Sequence, residues 1–84
     1  MQPYAVYINE AALGSVPRSG LQRKKVMNFI RFLAENPNTT GGFSEPDDAH
    51  RTVQVKIIGR HAVTFWADHA VSEIKVTHIK SADK

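Results

Sequence analysis

The chain has 84 residues, with eleven Lys or Arg, eight Asp or Glu, no cysteine and a formal net charge of +3. This length predicts one small domain over residues 1–84 rather than two. The lack of cysteine excludes disulfides and thiolate metal sites, and it fits a reducing cytoplasm. The mild basic excess is compatible with a polyanionic or acidic partner, although many ordinary domains share it.

The sequence indicates neither a membrane span nor a secretory signal. No apolar run approaches the roughly 20 residues that a membrane-spanning helix needs. The first residues lack the basic and apolar regions of a signal peptide. We therefore expect a cytoplasmic location and no membrane partner.

Two short elements are predicted at the start of the chain. Residues 4–8 (YAVYI) favour a strand with alternate side chains on one face, namely Tyr4, Val6 and Ile8. Asn9 is placed to cap a short helix over residues 10–13, which Gly14 would end.

The strongest helix prediction covers residues 21–36 (LQRKKVMNFIRFLAEN). Its apolar side chains share one stripe at helical spacing: Val26, Phe29, Ile30 and Leu33. Ser19 and Gln22 have the spacing of a capping box at its start, and Pro37 stops it. The cations on its outer side are interpreted as a solvated face: Lys24, Lys25 and Arg31.

Residues 38–50 (NTTGGFSEPDDAH) predict a long surface loop, because they contain two glycines, a proline and three acids. The acids match no EF-hand spacing. The two glycines are not followed by the Lys-Ser/Thr pair of a phosphate-binding loop. We expect no metal and no cofactor.

The last third predicts a three-stranded antiparallel meander. In the first strand Val53, Val55 and Ile57 alternate with Thr52, Gln54 and Lys56, and the apolar set is expected to be the buried one. Gly59-Arg60 is a two-residue turn with Gly first, as a type II′ hairpin prefers. In the second strand we expect Trp66, with Ala62 and Thr64, to face the helix. Phe65, with Val63 and His61, would then lie on the open face. In the third strand, which alternates around Ile74 and Val76, strict alternation puts His78 on their side of the sheet.

The order of these elements and the spacing of their residues resemble the RelE/ParE family of bacterial type II toxin–antitoxin systems. The resemblance runs over almost the whole chain, from Tyr4 to Ile79. The residues that match the family's motifs are Leu33, Asn36, Pro37, Arg51, Val53, Val55, Gly59, Ala62, Val63, Phe65, Asp68, Glu73, Ile74 and Val76. The resemblance implies a small α+β domain of order β-α-α-β-β-β. It would have a four-stranded antiparallel sheet, with one long and one short helix on one face.

The resemblance also implies a function and partners. RelE-type members cleave mRNA on the ribosome with basic residues of the open sheet face, whereas ParE-type members act on DNA gyrase without being nucleases. Both kinds are held inactive by a cognate antitoxin protein. The expected function is therefore that of a toxin that inhibits translation by ribosome-dependent mRNA cleavage.

This chain departs from the RelE pattern at several positions. Thr52 and Gln54 stand where paired basic residues are expected, and His61, or with a shift of one residue Ala62, stands in place of an arginine. Lys80 matches the basic residue that follows the last strand, but no tyrosine lies near the C-terminus.

Metal-independent RNA cleavage needs a base, an acid and cations that stabilise the phosphate charge. His61 is the candidate acid or base, and Lys56, Arg51 and Arg60 could supply the cationic clamp. The candidate catalytic residues are therefore His61, Lys56 and Arg51. The candidate nucleic-acid-binding residues are Arg51, Lys56, Arg60, His61, Phe65 and Lys80.

Alternatives remain open for two residues and for the function. His61 could be an ordinary polar residue on a wet sheet face, and Phe65 could stack on a base or contact an antitoxin. The alternative function is a non-catalytic binding module, either a gyrase inhibitor or a scaffold that binds only its antitoxin. A general nucleic-acid-binding domain is the third possibility.

Overall fold

A computed structural model of the chain describes residues 2–82, so Met1, Asp83 and Lys84 of the expected domain lie outside the described residues. In chain order the elements are β1 (Ala5–Ile8), α1 (Glu10–Gly14), α2 (Gly20–Glu35), β2 (Phe43–Pro46), β3 (Thr52–Ile58), β4 (His61–Asp68) and β5 (Glu73–Ser81). The predicted α+β class is confirmed.

The sheet has five strands in the order β1-β5-β4-β3-β2, and it is mixed. β1 runs parallel to β5, with Val6 beside Ile74, while the other neighbours are antiparallel. The predicted four-stranded antiparallel sheet is therefore wrong on two counts. The first strand, β1, pairs in parallel with the last strand, β5. β2 adds a fifth strand at the other edge, within the segment predicted to be a loop.

β2 was missed because it lacks the alternation of a half-buried strand: all four of its residues are exposed. It is a short edge strand that ends in proline, a combination that edges tolerate. Two glycines lead into it. Gly42 N–H donates to the Val55 carbonyl at 2.9 Å, and Gly41 N–H donates to Gln54 Oε1 at 2.9 Å. A Cβ on Gly41 would collide with the backbone of Val55.

The main core lies between α2 and one face of the sheet, and the predicted stripe of α2 is confirmed. Val26, Ile30 and Leu33 are buried there, and Phe29 meets Phe65 edge-on with ring centroids 5.6 Å apart. The sheet contributes these buried side chains to the same core: Val63, Phe65, Ile74, Val76 and Ile79. Tyr4, Val6 and Ile8 pack on it from the N-terminal end.

The predicted facing of β4 is wrong. Phe65 is only 2% exposed and Val63 is fully buried, both toward α2, while Trp66 lies on the other face. The pairing of Gln54 with Phe65 shows that β3 follows the same pattern, so Val53 and Val55 point away from α2. The sequence alternation therefore separated the side chains into the right two sets, but α2 covers the opposite set from the one expected.

A β-bulge changes the facing within β5. Thr64 pairs with His78 and Phe65 pairs with Val76, so Thr77 is the extra residue. A bulge shifts the alternation by one position. Ile79 therefore joins Val76 in the core, and His78, predicted to share the side of Ile74 and Val76, is exposed on the other side.

The predicted N-terminal cap is present on α1 and absent on α2. Asn9 Oδ1 accepts the Ala11 N–H at 2.8 Å, as predicted for α1. Ser19 makes no side-chain cap on α2, so the capping box is not formed. Gln22 instead reaches the β3–β4 turn, where its Nε2 donates to the Ile58 carbonyl at 2.8 Å.

Candidate functional site

The face of the sheet that α2 does not cover is here called the open face. The strand register places on it Val53, Val55 and Ile57 of β3, Ala62, Thr64 and Trp66 of β4, Lys75 of β5 and Tyr7 of β1. Val53 and Val55 are nevertheless buried. Val55 lies between Phe43 of β2 and Thr64 of β4, so neighbouring side chains can shield it from solvent without a covering helix.

Trp66 is the centre of this face, because two cations contact its ring. The Arg51 guanidinium carbon is 4.2 Å from the ring centroid and the Lys75 Nζ is 5.1 Å away. Both distances are within the range of cation–π attraction, which favours this arrangement by about 0.5–1 kcal/mol at exposed sites.

Acidic side chains hold both cations in place. Arg51 Nε donates to Asp47 Oδ2 at 2.6 Å. Lys75 Nζ lies 3.3 Å from Glu73 Oε1 and 3.7 Å from Asp68 Oδ2. These exposed pairs are weak in energy, but they restrict where the two cations can lie.

Asp47 is the organising residue of the turn between β2 and β3. Its Oδ1 accepts the backbone N–H of Ala49 at 2.9 Å and of Arg51 at 3.0 Å, while His50 adopts a left-handed φ of 62°. The hydrogen bond from the Arg51 side chain, helped by these backbone N–H groups, holds the pKa of the Asp47 carboxyl below its ordinary value. The carboxylate is therefore ionised at neutral pH and keeps Arg51 over Trp66.

A shallow groove of about 390 Å³ runs beside Trp66 along β1 and β5. Its lining combines an aromatic pair with the two cations: Tyr7, Ile8, Asn9, Arg51, Trp66, Lys75, Val76 and Thr77. Tyr7 is 54% exposed, so its ring is open to a partner. An exposed Tyr7 ring and a half-buried Trp66 ring beside two cations suit a partner that brings both apolar and negatively charged groups.

The predicted catalytic residues are divided between the two faces of the sheet. Arg51 is on the open face with Trp66. Lys56 pairs with Val63 and His61 pairs with Ile58, so both lie on the side of α2. His61 Nδ1 is 3.1 Å from Gln22 Nε2, a contact that ties the ring to α2.

The predicted nucleic-acid-binding residues are divided in the same way. Lys80 pairs with Ala62 and joins Arg51 on the open face, while Arg60 is in the β3–β4 turn. Phe65 was expected to offer its ring on the open face, and this placement is wrong. A ring that is 2% exposed and packed on Phe29 offers no surface for a base to stack on.

Sequence reasoning missed Tyr7, Trp66, Lys75 and Asp47 as site residues. Tyr7 and Lys75 become neighbours only through the parallel pairing of β1 with β5, which no local pattern indicates. Asp47 followed by Arg51 at a spacing of four residues was the one local signal for the turn that places Arg51 over Trp66.

Within residues 2–82, no group of three or more His, Asp or Glu side chains is arranged to hold a metal ion. No helix in the same part of the chain is long and apolar enough to cross a membrane. Comparisons with protein-family models, with curated proteins and with solved structures give no significant match.

Proposed function

We propose that the chain is a RelE/ParE-like toxin component of a type II toxin–antitoxin pair, and that it acts by binding through its open face. The family part of the proposal rests on the sequence resemblance, which runs from Tyr4 to Ile79. The structure is compatible with this resemblance. It is a small α+β domain in which both helices come before the meander in the chain. The binding partners proposed are a cognate antitoxin and a cellular target such as gyrase.

One observation carries the binding mode: Trp66 lies under Arg51 and Lys75, beside the exposed Tyr7. The side chains of this groove can contact apolar and acidic groups of a partner without performing any reaction. The three candidate catalytic residues support catalysis less well than the groove supports binding. Arg51 lies on the opposite face of the sheet from Lys56 and His61.

Ribosome-dependent mRNA cleavage is the second candidate, and one observation favours it. Lys56 and His61 lie on the same side of the β3–β4 hairpin, and both remain partly exposed. A histidine beside a lysine could transfer a proton and stabilise a phosphate. This site would work without Arg51.

The test is induced expression in a bacterial host, with growth followed and mRNA 5′ ends mapped. Growth arrest with intact mRNA, lost in Tyr7→Ala and kept in Val71→Ala, is the result expected of the binding mode. Val71 is a matched control because it is apolar and 56% exposed but lies outside the groove.

The other outcomes separate the two candidates. Arrest with new in-frame mRNA ends that disappear in His61→Ala would assign the activity to mRNA cleavage instead. The melting temperature of the His61→Ala protein must be measured beside it, because His61 contacts Gln22 of α2. If expression of the folded wild-type chain does not slow growth, both toxin proposals are wrong.

A further inference from the structure

We propose that the outer face of α2 binds the phosphate backbone of a nucleic acid. This surface is separate from the open face and is here called the basic face. Its central cations are Arg23, Lys24 and Arg31, which line one groove, and it is flanked by Lys25 of α2 and by Arg18, which precedes the helix. All five are exposed.

The basic face carries the whole positive excess of the protein. Five of the eleven cations of the chain fall between Arg18 and Arg31, and none of the eight acids do. The remainder of the chain has six cations and eight acids, a formal net charge of −2. The positive excess is therefore concentrated in the segment of residues 18–31, and Arg23, Lys24 and Arg31 of this segment line one groove. Such a local concentration of cations is the footprint expected for a polyanion.

The cations of the basic face have no acidic partner among residues 2–82, whereas the ion pairs of the open face hold Arg51 and Lys75. Arg23 donates to the Pro17 carbonyl at 3.0 Å and Arg31 donates to Asn28 Oδ1 at 3.3 Å. Both acceptors are neutral. They restrict the two guanidinium groups without neutralising them, so their charges remain available to a ligand.

The position of these charges works against the stability of α2. A helix is stabilised by acids in its first turn and cations in its last turn. α2 has no acid in its first turn and no cation in its last turn, and Arg23, Lys24 and Lys25 follow one another near its start. An external anion would relieve this repulsion, so the arrangement suits a ligand better than it suits the isolated fold.

The shape of the basic face fits a phosphate backbone. A shallow groove of about 320 Å³ is lined by Gly20, Arg23, Lys24, Met27, Asn28 and Arg31. Lys24 and Arg31 are seven residues apart, so they are separated by about 10 Å along the helix axis. A duplex presents about one charge for every 1.7 Å of its axis, and Arg, Lys and Asn are common phosphate contacts.

Two other anionic partners fit the basic face less well. A helix that lies on a membrane inserts its apolar side into the lipid, but Val26, Ile30 and Leu33 of α2 are buried in the core. A protein interface usually has an aromatic or aliphatic anchor at its centre. The groove itself contains only the half-buried Met27, because the exposed Leu21 and Phe32 of α2 do not line it.

The experiment compares two triple variants of the whole chain in fluorescence-anisotropy titrations of a labelled DNA duplex and an RNA duplex of equal length. One variant is Arg23→Gln/Lys24→Gln/Arg31→Gln on the basic face. The matched control is Lys56→Gln/Lys75→Gln/Lys80→Gln on the sheet. Each removes three positive charges from the formal net charge of +3, so an effect of net charge alone would be equal in both.

We expect the wild-type chain to bind both duplexes about 40-fold more weakly at about 200 mM salt than at about 50 mM, as three phosphate contacts imply. The basic-face variant should lose about tenfold or more in affinity and reduce the salt slope by about three. The sheet variant should keep the wild-type affinity and slope. Circular dichroism melts must show all three proteins folded. We expect this of the basic-face variant because it removes unfavourable helix charges, and of the sheet variant because the exposed ion pairs of Lys75 are weak in energy.

Several results would overturn the proposal. An equal loss of duplex affinity in both triple variants would show that binding depends only on net charge. A greater loss in the sheet variant would show that the nucleic-acid site lies on the sheet. Poly-glutamate that binds as tightly as the duplexes, with the same dependence on the three residues, would assign the basic face to an acidic protein instead. Failure of the wild-type chain to bind either duplex at low salt would also overturn it.

Discussion

Asp47 controls the position of the cation that covers Trp66. Its carboxylate accepts hydrogen bonds from the side chain and backbone of Arg51, and these bonds lower its pKa. Trp66 is the only tryptophan of the chain. Its fluorescence therefore responds when a cation over its ring, Arg51 or Lys75, is displaced, and variants of Asp47 isolate the contribution of Arg51.

The first prediction is a pH dependence of this contact. The folded-state pKa of Asp47 is below its unfolded value of about 3.9, so the stabilisation is complete above that value and is lost as the pH falls through the folded pKa. We expect the Trp66 emission to be constant above about pH 5 and to change below about pH 4. Circular dichroism at each pH separates this change from acid unfolding.

The variant Asp47→Asn is the control for this titration. An amide cannot form the charged pair with Arg51, so the neutral-pH emission should already resemble that of the acid form. The same transition in Asp47→Asn and in the wild-type chain would show that another carboxylate is responsible.

Gly41 is the second residue with a sharp prediction. The backbone of Val55 occupies the space that a Cβ on Gly41 would need. Gly41→Ala must therefore push β2 away from β3, at a cost of about 1–3 kcal/mol in the free energy of unfolding. Gly14→Ala is the matched control, since no atom lies within 4 Å of its Cβ position. Urea denaturation of both variants measures the difference, and equal midpoints would contradict the close approach at Gly41.

At the scale of elements, α2 holds the core together through one narrow stripe. Leu33 is fully buried, whereas Leu21 on the same helix is 67% exposed. Leu33→Ala should lower the free energy of unfolding by about 2–5 kcal/mol, because it leaves a cavity. Leu21→Ala should change it by no more than about 0.5 kcal/mol. Thermal melts test the pair, and a comparable loss in both would place the core elsewhere.

Local patterns were sufficient to predict α1, α2 and the three strands of the meander. The stripe of Val26, Ile30 and Leu33 and the glycine of the Gly59 turn are strong short-range signals, and Gly59 has the expected positive φ of 60°. Such signals depend on residues that are neighbours in the chain. β2 lacked one because an exposed edge strand buries nothing and so has no apolar alternation.

The facing of the meander was the main error, and it changed the candidate site. Alternation tells which side chains share a face, but it does not tell which face the helix covers. Both faces of the meander carry apolar side chains: Val53, Val55 and Trp66 on one, and Val63 and Phe65 on the other. Composition therefore could not show which of the two faces α2 covers. The decision follows from contacts of α2 with distant residues, such as the one between Gln22 and the Ile58 carbonyl.

At the scale of the whole molecule, β5 joins the two ends of the chain. It pairs with β1 on one side and β4 on the other, and it contributes Ile74, Val76 and Ile79 to the core. The chain between β1 and β5, which contains both helices and the strands β2 to β4, forms the connection that their parallel pairing needs. The two edge strands differ in what they contribute to the core. β1 supplies side chains that pack on it, and β2 supplies none.

This difference predicts opposite results for the removal of the two edge strands. Deletion of residues 2–8 removes Tyr4, Val6 and Ile8 from the core and exposes the edge of β5. We expect the cooperative unfolding transition to be lost, because a domain of this size has only about 5–15 kcal/mol of stability to lose.

Replacement of residues 43–50 by a short turn removes only residues that lie outside the core cluster. That variant should unfold cooperatively in urea, followed by circular dichroism, with a lower midpoint. If instead the β2 variant loses its transition and the β1 variant keeps it, then Val53 and Val55 on the open face, and not the residues under α2, form the cluster on which folding depends.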